Sequence, residues 1–196
     1  MSECGKKVRL LRVLGGVNHR ALVVAFDHAL VLGPIHGTEN PLAQICHFAE
    51  AQVDALLLNL GLIRQFANTR LPRLLPSIIA RIDWTSMWSA ASNNGHGDLH
   101  TRMAVELGAD AIKTDYSGDP ASMRSVVDDC PISMLVLGGS RQASDAGALE
   151  VVRGAVAAGA AGVFFGRNIF QAPNMGSFLQ QARAILQGVE VPQTRR

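Results

Sequence analysis

The chain has 196 residues, a formal net charge of +2 and 48% hydrophobic residues, enough for one α/β domain with a sizeable core. No extended basic run is present, so nucleic acid is not expected as a partner. No apolar stretch reaches the ~18 residues of a membrane span, and charges near the start interrupt any signal-peptide pattern. The three cysteines, Cys4, Cys46 and Cys130, are widely spaced, which predicts no disulfide or metal framework and fits a reducing, cytoplasmic location.

In chain order, residues 8–14 predict a short amphipathic helix or lead-in, followed by a turn at Gly15, Gly16 and Asn18. The apolar run Ala21–Phe26 predicts a first strand that ends in Asp27 and His28. A carboxylate and an imidazole at the end of a buried strand are placed either for chemistry or for capping and packing. The turn-rich segment 33–41 leads to Asn40-Pro41, a helix start with proline in the first helical position. Leu42, Ile45, Cys46 and Ala49 give that helix its apolar stripe.

A second strand is predicted over 53–60, a short helix over 62–66, a loop over 68–72 and a third strand over 75–83. From Trp84 to Gly97 the pattern blurs; Trp84 and Trp88 suit packing or an interface, and His96 and His100 lack a third metal ligand nearby. Asp98 is a plausible cap for a helix carrying Leu99, Met103 and Leu107 and ended by Gly108. The next strand contains Lys113, and Asp119-Pro120 opens a helix with Met123, Val126 and Val127 inward. A strand over 132–137 ends in Gly138-Gly139-Ser140, Ser144 or Asp145 caps a long helix stopping at Gly159, and a strand over 161–165 ends in Gly166-Arg167-Asn168. A last helix covers about 176–188. Six strands alternating with helices predict a parallel sheet with right-handed crossovers.

Lys113 is one of three lysines; Lys6 and Lys7 lie in the polar N-terminal stretch, and every other basic side chain except the histidines is arginine. Lysine, unlike arginine, can lose its proton and attack a carbonyl, although a lysine at a strand end can also simply snorkel to water. A period of two puts Ala111, Lys113 and Asp115 on one face and Tyr116 on the other, and puts Val23, Ala25 and Asp27 on one face of the first strand. Each of the strand–glycine–helix ends, Gly138-Gly139 and Gly166-Arg167, alone could be a tight turn, but two on consecutive units favour a phosphate cradle of backbone N–H groups and guanidinium donors.

Phe26-Asp27-His28 with Gly33-Pro34, the segment Glu106–Pro120 around Lys113, Leu137-Gly138-Gly139, and Ala158–Gly162 running on to Gly166–Gln171 resemble the archaeal-type class I aldolases. That group includes DhnA-type fructose-bisphosphate aldolases, aminodideoxyheptulosonate synthases and autoinducer-2 aldolase-like enzymes. The resemblance implies a TIM-type (β/α) barrel forming a single domain over 1–196, here shortened to about six strands. It implies a Schiff-base lyase acting on a phosphorylated ketose such as fructose 1,6-bisphosphate, usually as a homo-oligomer. Lys113 matches the Schiff-base lysine, and Asp27 matches the aspartate that handles protons beside it. Gly138, Gly139, Gly166 and Arg167 match the phosphate loops. No metal or other cofactor is implied, because the iminium is the electron sink. The family's fourth and fifth strands, with their proton-donor tyrosine, have no counterpart here; Tyr116 matches another position, and His28 is a substitute acid–base group suggested only by its nearness in sequence. The alternative expectation is a catalytically impaired aldolase-like protein that binds a sugar phosphate or a partner subunit.

Overall fold

The computed structural model describes residues 3–67, 76–81, 105–106 and 108–189. Its six strands are β1 (Ala21–Ala25), β2 (Ala55–Asn59), β3 (Ser77–Arg81), β4 (Ala111–Thr114), β5 (Ser133–Leu137) and β6 (Gly162–Phe165). They form one sheet in the order β3-β2-β1-β6-β5-β4, with every neighbouring pair parallel. The helices are α1 (Glu3–Leu14), α2 (Ala29–Leu32), α3 (Pro41–Glu50), α4 (Leu60–Ala67), α5 (Pro120–Asp128), α6 (Asp145–Ala157), α7 (Arg167–Phe170) and α8 (Met175–Leu186).

The sheet curls into a half-barrel with two chemically distinct faces. On the convex face Leu22, Val24, Leu56, Leu58, Met134, Val136, Val163 and Phe165 pack against Ile45 and Phe48 of α3, Met123 of α5, Leu149 and Val152 of α6, and Phe178, Leu179 and Ala182 of α8. On the concave face Val23, Ala25, Ala55, Leu57, Ile79, Ala111, Leu135 and Phe164 meet Leu10, Val13 and Leu14 of α1. The central strands β1 and β6 are buried throughout, which is why they read as unbroken apolar runs, whereas the outer strand β4 is only partly covered.

Helix starts follow the side chains expected to cap them. Asn40 accepts the amide of Ala43 ahead of Pro41, Asp119 accepts those of Ala121 and Ser122 ahead of Pro120, and Ser144 rather than Asp145 accepts that of Gly147. The second strand ends one residue earlier than its apolar run suggests. The Asn59 side chain accepts the Leu62 amide at 2.9 Å, so α4 begins at Leu60 rather than at Leu62. The four-residue helices α2 and α7 were not expected from the pattern, and the last helix starts at Met175, with Asn174 accepting the Ser177 amide. The expected loop at 68–72, Trp84, Trp88, His96, His100, Asp98, Leu99, Met103 and Leu107 lie outside the described residues.

Two sets of contacts hold the N-terminal rim of the half-barrel. The Asp54 carboxylate, just before β2, accepts the Leu22 amide at 2.7 Å and Nη1 of Arg183 from α8 at 3.2 Å, while Arg183 Nη2 donates to the Gln52 carbonyl. From α1, the Arg12 carbonyl accepts the Ser77 hydroxyl at the start of β3, and Lys6 forms an ion pair with Asp110 just before β4. One helix therefore touches the beginnings of both outermost strands.

Candidate functional site

At the C-terminal ends of the central strands the expected polar residues converge in part. Asp27 follows β1 and is 5% exposed; His28 is half-buried beside it, with Nδ1 3.7 Å from Asp27 Oδ1. The His28 ring packs edge-on against Phe170 of α7, with centroids 5.3 Å apart, and lies directly over Gly166. A Cβ on Gly166 would sit 2.3 Å from His28 Cε1 and 2.8 Å from the Ala25 carbonyl oxygen. Glycine is therefore required there by the close approach of β1, β6 and the imidazole.

The β5 and β6 ends are tied together by two consecutive side chains. Arg167 Nη2 donates to the Gly139 carbonyl at 3.2 Å and reaches the Ser140 hydroxyl at 3.5 Å. Asn168, 1% exposed, donates from Nδ2 to the Gly138 and Ser140 carbonyls and accepts the Gln142 amide at Oδ1. The amides of Gly139, Ser140 and Arg141 donate to no protein acceptor among the described residues. Residues 140–143 separate this turn from α6, which begins at Asp145 behind its Ser144 cap, as expected.

Lys113 lies on the concave face, on the same side of its strand as Ala111, and on the last strand of the sheet among the described residues; it is exposed. Its Nζ stands 4.4 Å from the centroid of the Phe164 ring. Phe164 carries no polar signal by which sequence alone could single it out as a neighbour of the amine. Lys113, Phe164, Val23, Leu135, Ile79 and residues of α1 line a cleft of about 530 Å³. Asp115 is half-buried; burial raises its carboxyl above the ordinary 3.8, and the charge of Lys113 opposes that rise. Tyr116 turns to the convex side, where its hydroxyl covers Gly154 of α6.

The arrangement thus consists of two clusters joined by β6. Phe164 lies against Lys113, and two residues further on Gly166 lies against His28 and precedes Arg167. Residues on one face of a strand two apart are separated by about 6–7 Å. A larger groove of about 890 Å³ runs along the outer surface between α3 and α8 and contains none of the expected site residues. Among the described residues no group of three or more histidine, cysteine, aspartate or glutamate side chains could hold a metal ion, and no helix is long and apolar enough to cross a membrane.

Asn168 was legible only as part of the Gly-Arg-Asn motif, with no role attached to it. The signal was an amide side chain immediately after a strand-end glycine and a cation. Only the structure shows that it reaches back to the preceding βα turn.

Comparison with known proteins finds similarity to aldolases. Residues 99–172, which include Lys113, Gly138, Gly139, Gly166 and Arg167, match the DeoC/LacD family aldolase model. An uncharacterised aldolase of Saccharolobus solfataricus is 26% identical over 244 aligned positions, covering 86% of this chain and 89% of that protein. The 2-amino-4,5-dihydroxy-6-oxo-7-(phosphonooxy)heptanoate synthase of Streptomyces griseus is 43% identical over 76 residues, 39% of this chain but only 28% of the synthase. The crystal structure of an archaeal fructose 1,6-bisphosphate aldolase superposes with a TM-score of 0.72 at 18% identity, over 92% of this chain and 98% of that one, a likeness of fold. Over residues 99–172 the chain is similar to the DeoC/LacD family aldolases, and its curled parallel sheet resembles in fold that of an archaeal fructose 1,6-bisphosphate aldolase.

Proposed function

We propose that the chain is a single aldolase-type unit that makes or breaks a C–C bond in a phosphorylated ketose through a Schiff base on Lys113. The observation that carries this reading is the position of Lys113, the one lysine beyond the N-terminal pair. It lies on the concave face, joined through β6 to a strand-end turn with spare amide donors and an adjacent arginine. The names of the relatives support the substrate class: the S. griseus synthase carries a phosphonooxy group on its product, and the structurally similar archaeal enzyme is a fructose 1,6-bisphosphate aldolase.

In this reading the neutral amine of Lys113 attacks the ketose carbonyl carbon, and water leaves to give an iminium. A base takes the proton of the hydroxyl two carbons from the iminium carbon. The C–C bond breaks, its electron pair moves to the iminium to form an enamine, and the aldehyde departs. Protonation of the enamine carbon and hydrolysis return the ketone product and free Lys113. Asp27, with His28 beside it, is the acid–base group of the concave mouth. The amides of Gly139 and its neighbours, with Arg167, hold the phosphate, and Gly138 and Gly166 allow the close packing that brings those donors together.

The test is borohydride trapping. The protein is incubated with dihydroxyacetone phosphate or fructose 1,6-bisphosphate, reduced and digested, and the adduct is located by peptide mass spectrometry. A reduced adduct on Lys113, absent from Lys113→Arg, is the expected result. Folded protein that gives no adduct with either compound, or with a wider set of phosphorylated ketoses, overturns it. Phosphate-ester binding without an adduct instead identifies a binding protein that has lost the chemistry.

A further inference from the structure

We propose that Asn168 is a positioning residue that sets the shape of the anion-accepting turn from Gly138 to Gln142, and so determines preference for phosphorylated over unphosphorylated carbonyl compounds. The inference rests on the reading of that turn as the phosphate site. Three hydrogen bonds carry it. Asn168 Nδ2 donates to the Gly138 carbonyl at 2.7 Å and to the Ser140 carbonyl at 3.1 Å, and Oδ1 accepts the Gln142 amide at 2.8 Å. All three cross from the end of β6 to the turn after β5, about 30 residues away in sequence, so no local element supplies them.

The side chain is 1% exposed and both of its polar atoms are used, so water cannot replace it without loss. Its contacts alternate along the turn. It engages the carbonyls of 138 and 140 and the amide of 142, leaving the amides of 139, 140 and 141 without protein acceptors among the described residues. With its carbonyls held by Asn168, and that of Gly139 by Arg167, the turn cannot rotate its peptide planes freely. The donors are thus fixed before a ligand arrives, which lowers the ordering cost of binding. Asn168 does not touch the ligand in this scheme; it acts through the peptide planes it holds.

Asn168→Asp tests this with nearly unchanged volume. It removes both Nδ2 donors and sets a carboxylate against two carbonyl oxygens, while keeping an acceptor for the Gln142 amide. The readout is a ratio: the rate of borohydride trapping at Lys113 with dihydroxyacetone phosphate divided by that with unphosphorylated dihydroxyacetone. The expected result is at least a tenfold fall in that ratio. A purely structural Asn168 would slow both reactions alike, and an unchanged ratio overturns the inference while leaving the Schiff-base reading intact.

A second measurement needs only the wild-type chain and covers a variant that fails to fold or a Lys113 that does not trap. In a titration with inorganic phosphate followed by NMR, the backbone amides of Gly139, Ser140 and Arg141 and the side-chain amide of Asn168 are expected to shift with one common Kd. Turn signals that move while Asn168 stays still, or no movement of the turn at all, overturn the proposal. Common movement in a protein that does not trap supports it and rejects the Schiff-base reading alone.

Discussion

Replacing Asp54 should expose how much stability the N-terminal rim of the half-barrel contributes. Its carboxylate accepts the amide of Leu22, a residue with no solvent exposure, and pairs with Arg183, whose side chain is 24% exposed against 16% for Asp54. Asp54→Ala leaves the Leu22 donor in a dry interior, which costs about 1–3 kcal/mol, and removes a charge-assisted bond to Arg183 worth about 1.5–3 kcal/mol. Arg183 keeps its bond to the Gln52 carbonyl and some access to water, so the second contribution falls at the low end and the sum is about 3 kcal/mol. Asp54→Asn keeps an oxygen for Leu22 and loses mainly the charge pairing, about 1–1.5 kcal/mol. Urea unfolding of the three proteins, at equal m-values, gives the comparison directly. For a chain of this size the alanine variant should also melt ~6–12 °C lower. Equal losses for the alanine and asparagine variants would show that the buried Leu22 donor is not the dominant cost, and a loss below 1 kcal/mol for alanine would refute the assignment of the rim to this carboxylate.

Gly166→Ala should destabilise the fold by about 1–3 kcal/mol and move the His28 imidazole, because its new methyl meets His28 Cε1 and the Ala25 carbonyl; an unchanged urea midpoint with an unshifted His28 NMR resonance would contradict this. The raised carboxyl of Asp115 binds its proton more tightly in the folded chain than in the unfolded one, so stability falls as pH rises from the ordinary 3.8 toward the raised value. Asp115→Asn should flatten that part of the stability–pH curve, and parallel curves for the two proteins would reject the effect. Asn174→Ala removes the side chain that accepts the Ser177 amide at the start of α8 and should cost about 1 kcal/mol in chemical denaturation, with no measurable change if the helix start is held by packing alone.

The βα alternation was legible because strands and helices differ in hydrophobic period, and Asn40, Asp119 and Ser144 announced helix starts through local hydrogen bonds. Strand parity put Lys113 and Tyr116 on opposite faces, since side-chain alternation is set by the backbone alone; the fold makes these the concave and the convex one. Other features depended on distant neighbours. Among the described residues β4 is the last strand of the sheet, and the exposure of Lys113 there goes with sheet order, which its own residues do not encode. Asn59 read as part of the strand over 53–60, because its capping of α4 shows only once the chain turns there. The Gly138-Gly139 turn looked like a glycine feature in isolation, yet its shape is held by Arg167 and Asn168 from the next strand.

The contacts of α1 with Ser77 and with the Lys6–Asp110 pair have a mechanical consequence. The same short rod braces the two extremities of a sheet whose outer strands do not hydrogen-bond to each other among the described residues. Among the described residues it acts as a spacer between the beginnings of β3 and β4, bound to one through a carbonyl near its C-terminal end and to the other through a side chain near its N-terminal end. Shortening that spacer by one turn, or removing the Lys6 charge, would let the trough change its width while leaving Lys113 and Phe164 themselves unaltered.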